Sequence, residues 1–141
     1  MKKTIAYKKQ SIGILYIILT VFGAIFSISA ITEKDMPLIL IGALLLIISM
    51  VLSIQFLLLP SDIIILSDDD TLILPRGVTV PLDCVSEVSF KRASAKGLRY
   101  RWGSITIFTY SDTYKFGFVA DCENVAIQLN KLIRKVQKRQ D

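Results

Sequence analysis

Two stretches decide the reading of this chain: IGILYIILTVFGAIFSISAI, residues 12–31, and PLILIGALLLIISMVLSIQFLLL, residues 37–59. Neither holds a charged side chain, and only Thr32-Glu33-Lys34-Asp35-Met36 separates them. At about 1.5 Å of rise per residue, each is long enough to cross a hydrocarbon core of roughly 30 Å as a helix. A five-residue polar link makes the pair antiparallel. Residues 1–59 therefore read as a transmembrane helical hairpin with spans at about 12–31 and 37–59. Beyond that point charges, turn residues and alternating strands take over, so residues 60–141 read as one small appended domain.

The lysines set the predicted orientation. Lys2, Lys3, Lys8 and Lys9 precede the first run and only Lys34 lies between the runs; Lys and Arg in such short segments are retained on the cytoplasmic side. Both termini are thus expected in the cytoplasm, in a multi-pass membrane protein. A cleaved signal peptide competes for residues 1–30, since Met1-Lys2-Lys3 is a basic start and Ser27 to Ala30 are mostly small. The first run exceeds the usual apolar core of about 7–15 residues, and a second spanning run follows at once.

Composition fits that placement. Two cysteines, Cys84 and Cys122, are too few for a disulfide framework and read as small core thiols in a reducing compartment. The net charge is +5, but residues 60–141 carry 12 basic and 10 acidic side chains, so most of the excess belongs to the leader.

Along the appended domain, Ile63-Ile64-Ile65-Leu66 and Thr71-Leu72-Ile73-Leu74 flank the turn Ser67-Asp68-Asp69-Asp70 and predict a hairpin. Pro75-Arg76-Gly77 is a further turn, Val78-Thr79-Val80 a short strand, and residues 85–91 a strand with Ser86, Val88 and Phe90 on one face. Residues 103–110 and 113–119 form another predicted hairpin across Ser111-Asp112. Period-two spacing places Tyr114, Phe116 and Phe118 together, as core positions. The period then changes: Cys122, Val125, Ala126, Leu129, Leu132, Ile133 and Val136 recur at three and four, the stripe of a helix lying on a core. Asp121 reads as its N-cap, and Lys131, Arg134, Lys135, Lys138 and Arg139 crowd its end, where cations suit the helix dipole.

With successive hairpins, a stretch Val80-Pro81-Leu82-Asp83-Cys84-Val85-Ser86-Glu87-Val88 and a terminal helix behind a two-helix anchor, the chain resembles the bacterial pleckstrin-homology-like domains of small membrane proteins. That resemblance implies a membrane α+β protein: a helical hairpin followed by a PH-like antiparallel β-barrel or sandwich closed by a C-terminal amphipathic helix. It also implies an interaction or membrane-surface module. Two features depart from the wider superfamily. The first hairpin loop carries three aspartates where lipid-binding members hold phosphates with basic residues, and six strands are read where the superfamily has seven.

One segment looks chemically purposeful: residues 91–102, which hold Lys91, Arg92, Lys96, Arg99, Tyr100, Arg101 and Trp102 with no acid among them. Read as a connection between two strands, it would contact a partner or anionic lipid headgroups. Basic side chains near an anionic leaflet contribute about 1 kcal/mol each, and Tyr and Trp favour the interface. The competing reading is a solvated loop whose arginines cover apolar surface. Nucleic acid is not expected, because the domain is only slightly basic and carries no recognised motif.

Enzymatic chemistry is not expected either. The chain has no histidine, the commonest general base and metal ligand. Two distant cysteines do not make a structural zinc set, and Asp68-Asp69-Asp70 is turn chemistry. No cofactor is expected, and the bilayer itself, with a protein partner, completes the expected company. The sequence thus predicts a non-enzymatic membrane-anchored module. The alternative is an envelope-defence or toxin-immunity protein acting through the helical hairpin.

Overall fold

The computed structural model describes residues 2–140, which fall into two compact units. One is Gln10–Leu59; the other joins Met1–Lys9 to Pro60–Asp141.

The first unit is a pair of antiparallel helices, α1 (Gln10–Glu33) and α2 (Met36–Leu58). Their mean hydropathies of 2.4 and 2.8 make both long and apolar enough to span a membrane. The link is shorter than the sequence predicts: Lys34 takes φ 56° and Asp35 caps α2, accepting the Leu38 N–H at 3.4 Å, with Pro37 in the first turn where its missing N–H costs nothing. The seam between the helices is built mainly from small and hydroxyl residues, with Tyr16 and Phe56 at one end, while most of the leucines and isoleucines, with Phe22 and Phe26, point outward. On α1, Gly13, Tyr16, Thr20, Gly23, Ser27 and Ala30 recur at three and four, and all are buried or half-buried. Gly42, Ser49 and Phe56 answer them at intervals of seven, the spacing of helices packed at a shallow angle. A methyl group on Gly42 would lie 2.7 Å from Ser27 Oγ, and one on Gly13 would enter the Phe56 ring. The pair thus inverts the arrangement of a water-soluble helical hairpin, which hides its large apolar residues.

The second unit holds seven strands and one helix. Strands β1 (Lys3–Tyr7), β2 (Asp62–Leu66), β3 (Thr71–Ile73) and β4 (Thr79–Pro81) form one antiparallel sheet in that order. Strands β5 (Val85–Ala95), β6 (Leu98–Thr109) and β7 (Thr113–Val119) form a second. Helix α3 (Cys122–Gln140) completes the unit and packs mainly on β5 and β6. Cys122, Val125, Ala126, Leu129 and Ile133 are its buried stripe, as the periodicity predicts. The core also holds Ile63, Leu72, Leu82, Val85, Ile105 and Ile107, each almost wholly removed from solvent.

Four expectations change. The leader is not grouped with the helical hairpin: its residues 3–7 are β1, with Thr4 opposite Ile65 and Ala6 opposite Ile64, and Ile5 and Ala6 are buried. The seventh strand is therefore supplied from before the helices, and the boundary at residue 59 cuts through one sheet. Second, the sheets do not close into a barrel. Among the described residues they meet at one bridge, Lys8 with Val119, flanked by bonds from Lys9 N–H to Phe118 C=O and from Ala120 N–H to Tyr7 C=O, both 2.8 Å. On the other side β4 runs through the 3-10 turn Leu82–Cys84 into β5 without pairing to it.

Third, residues 91–102 are not a loop. β5 and β6 continue to Ala95 and Leu98 across the two-residue turn Lys96-Gly97, whose φ values of 46° and 85° are the paired left-handed conformations of a tight hairpin. Fourth, the aromatic alternation in β7 breaks. The register slips between Gly103 and Ile105, Phe118 takes φ 57°, and Tyr114, Phe116 and Phe118 are only half-buried. Phe118 leaves the predicted face, and Val119 takes the core position in its place.

Candidate functional site

The projecting part of the second sheet is the β-hairpin arm made by the ends of β5 and β6. Its register is Lys91 opposite Ser104, Arg92 opposite Gly103, Ser94 opposite Arg99 and Ala95 opposite Leu98. Between the second and third of these pairs Tyr100, Arg101 and Trp102 face Ala93 alone, which is a bulge in β6. Bulges sharpen strand twist and re-aim side chains. Gly103 permits it, because a Cβ there would collide with the Lys91 carbonyl.

Alternation along β6 separates two surfaces. Leu98, Tyr100 and Trp102 share one, and the rings agree: Tyr100 and Trp102 lie 6.2 Å apart, and Trp102 stacks on Phe118 at 6.3 Å and 18°. The three rings form a ladder along the arm. Lys91, Ala93, Ser104 and Gly117 line the shallow hollow beside Trp102 and Phe118. The register puts Arg92 and Arg99 on the other surface, where with Phe90 and Glu123 they border a second open hollow of about 440 Å³; Lys91, Arg92 and Ser94 line both hollows across the strand edge.

The seven residues singled out by sequence therefore divide. Lys91, Lys96, Arg99, Tyr100 and Arg101 are exposed. Arg92 is committed to an ion pair with Glu123 in the first turn of α3, and so ties the arm to the helix. The Arg101 carbonyl accepts the Cys122 thiol at 3.5 Å. Trp102 is half-buried within the ladder. Sequence reasoning missed Phe118, assigned to the core, and Leu98, which lies two-thirds exposed beside the turn. It also missed Glu123 as a partner for the arm. Leu98 was legible in principle, as an apolar residue between Lys96 and Arg99; Phe118 was not, because only the register slip turns it outward.

The cysteines remain thiols. Burial pushes the Cys122 thiol up, against the opposing pull of the Arg92 charge. The exposed Cys84 is also raised, by desolvation and by the hydrogen bond and charge of Asp83. Neither has the lowered pKa of a reactive thiolate. Asp68 and Asp69 occupy the β2–β3 turn with Asp70, which takes φ 50° and lies 3.7 Å from Arg139 near the end of α3. Among the described residues no three metal-ligating side chains converge.

The path of the chain adds one geometric fact. Lys8 donates its N–H to the Ser61 carbonyl at 2.9 Å, and Lys9 donates to Phe118. The sheet unit therefore sends the chain out into α1, and takes it back after α2, at one place. That place adjoins Phe118, the inner rung of the ladder. Compared with protein-family models, with curated proteins and with solved structures, the chain matches none of them.

Proposed function

We propose that this chain is a non-enzymatic, membrane-anchored interaction module of the pleckstrin-homology-like type. It would sit at the cytoplasmic face of a bacterial inner membrane and offer its β5–β6 arm to a partner. The observation that carries the reading is the insertion of two long apolar helices between strands that pair with each other. β1 and β2 are neighbours in one sheet, yet α1 and α2 lie between them in sequence. Two spans inserted there return the chain to the side it left, so both connections and the whole sheet unit share one face of the membrane. The lysines at 2, 3, 8 and 9 argue that this face is cytoplasmic. Seven strands in sheets of four and three, followed by a packed C-terminal helix, support the resemblance to the PH-like fold.

Thiol accessibility tests the topology. Glu33 is exposed at the end of α1, and Cys84 is the exposed native thiol of the sheet unit. In intact cells, a membrane-impermeant maleimide should label Glu33→Cys in a Cys84→Ser background. It should reach native Cys84 only after permeabilisation. Labelling of Cys84 from outside intact cells would reject the proposal. Exchange of α1 and α2 for an unrelated helical hairpin should preserve function, whereas loss on exchange would favour a role for the helices themselves.

A further inference from the structure

We infer that the ladder face of the arm is a docking surface for an anionic lipid leaflet, with Leu98 as its apolar tip. The inference rests on the anchored reading above and names the ligand of the same element. Three observations converge on it. The first is composition by face: Leu98, Tyr100 and Trp102 follow at every second residue of β6, and Phe118 extends the row. Aromatic rings with one apolar body and one polar edge are the residues that settle at the headgroup level. Second, Lys91 borders this row and Lys96 lies in the turn next to Leu98, both exposed, so cations lie where phosphates would be met.

The third observation is position. Lys9, the last residue before α1, is hydrogen-bonded through its N–H to Phe118. The ladder therefore starts where the chain leaves the sheet unit for the apolar helices. A protein or nucleic-acid partner would have to be recruited to this surface. Lipid is already there, because the covalent connection is only Lys8-Lys9 on one side and Leu59-Pro60-Ser61 on the other. Each basic residue close to an anionic surface is worth about 1 kcal/mol, or roughly a fivefold shift between docked and undocked arms.

Trp102 is the chain's one tryptophan, so its emission reports the arm alone. The full-length chain would be reconstituted into bilayers of phosphatidylcholine, and of phosphatidylcholine with phosphatidylglycerol, each doped with lipid brominated near the carboxyl end of the acyl chain. Trp102 quenching should be several-fold stronger with phosphatidylglycerol, should fall with added salt, and should fall likewise in Lys91→Gln/Lys96→Gln. That variant leaves the Arg92–Glu123 pair intact. Leu98→Ser, which keeps every charge, should also weaken quenching and serves as the independent variant if the double one is misfolded. Equal quenching in neutral and anionic bilayers, or quenching unaltered in a folded variant, would overturn the docking surface. If phosphatidylglycerol leaves the emission unchanged while RNA or an acidic polypeptide shifts it, the surface serves another partner and the inference fails. Release of the chain from the bilayer by alkaline extraction would instead overturn the anchored reading beneath it.

Discussion

At the residue scale, Asn130 has a role that no pattern in the sequence announces. Strand β5 is an edge of its sheet, with its outward N–H and C=O groups open to pairing with another chain. Asn130, on α3, accepts the Val88 N–H at 3.2 Å and donates its side-chain amide to the Val88 carbonyl at 2.9 Å. One amide group thus imitates the next strand and fixes the helix against the sheet. Asn130→Ala should destabilise the sheet unit by about 1–3 kcal/mol, because both backbone groups lose their partner. Asn130→Asp should cost no less, since it sets a carboxylate oxygen against the Val88 carbonyl. Chemical denaturation read by far-UV circular dichroism measures this, and an unmoved midpoint for both variants would refute the role. The sequence places Asn130 beside Leu129 in a helical repeat, but its partner lies 42 residues away, and that distance hides the contact. Phe118 was hidden for a related reason. Its alternation with Tyr114 and Phe116 is real in the sequence, and a bulge in β7 itself, at Phe118, cancels it.

At the element scale, α1 and α2 were legible because a long charge-free apolar run announces a helix by composition alone. The seam was legible too, in outline: Gly23 with Ser27 and Ser49 with Ser53 are the small residues that let helices approach. In the structure Thr20 Oγ1 and Ser53 Oγ lie 3.3 Å apart across the pair, and Ser27 lies against Gly42. Gly42→Ile should therefore force the helices apart. Oxidative crosslinking of Thr20→Cys with Ser53→Cys, in a background lacking Cys84 and Cys122, should be efficient while Gly42 is kept and fall several-fold once Gly42→Ile is added. Crosslinking that survives the substitution unchanged would mean that the seam is not held by close packing. The arm was the reverse case. Residues 91–102 are polar and lack steady alternation, so they read as a connection, yet Lys96-Gly97 supplies the two left-handed residues that a tight hairpin needs. The bulge opposite Ala93 broke the period that would have announced strand.

At the scale of the whole molecule, the least legible feature is the one that organises it. Lys3-Thr4-Ile5-Ala6-Tyr7 is a short run among lysines and reads as a charged leader, since its partner strand starts beyond both helices. Pairing across an insertion leaves no local trace, whereas β2 with β3 and β6 with β7 are adjacent hairpins and were readable at once. Yet β1 covers the edge of β2, contributes the buried Ile5 and Ala6, and forms the bridge through Lys8 to Val119 that joins the two sheets. Removing it should have consequences out of scale with its length. Burial of one isoleucine contributes about 1.5–3 kcal/mol, and several β1 hydrogen bonds are lost with it, against a total stability of about 5–15 kcal/mol for a domain. The polypeptide 61–141 alone should therefore be largely unfolded or aggregating, with a bare β2 edge open to other chains. The remedy follows from the 2.9 Å bond between Lys8 and Ser61: residues 2–9 joined to residues 61–140 by a short flexible linker should restore a soluble, cooperatively folding unit. Dispersed amide resonances and a single unfolding transition are expected for the joined chain and not for 61–141. Equal stability of the two would show that β1 is an accessory to the sheet, and the helices would then be an ordinary N-terminal anchor.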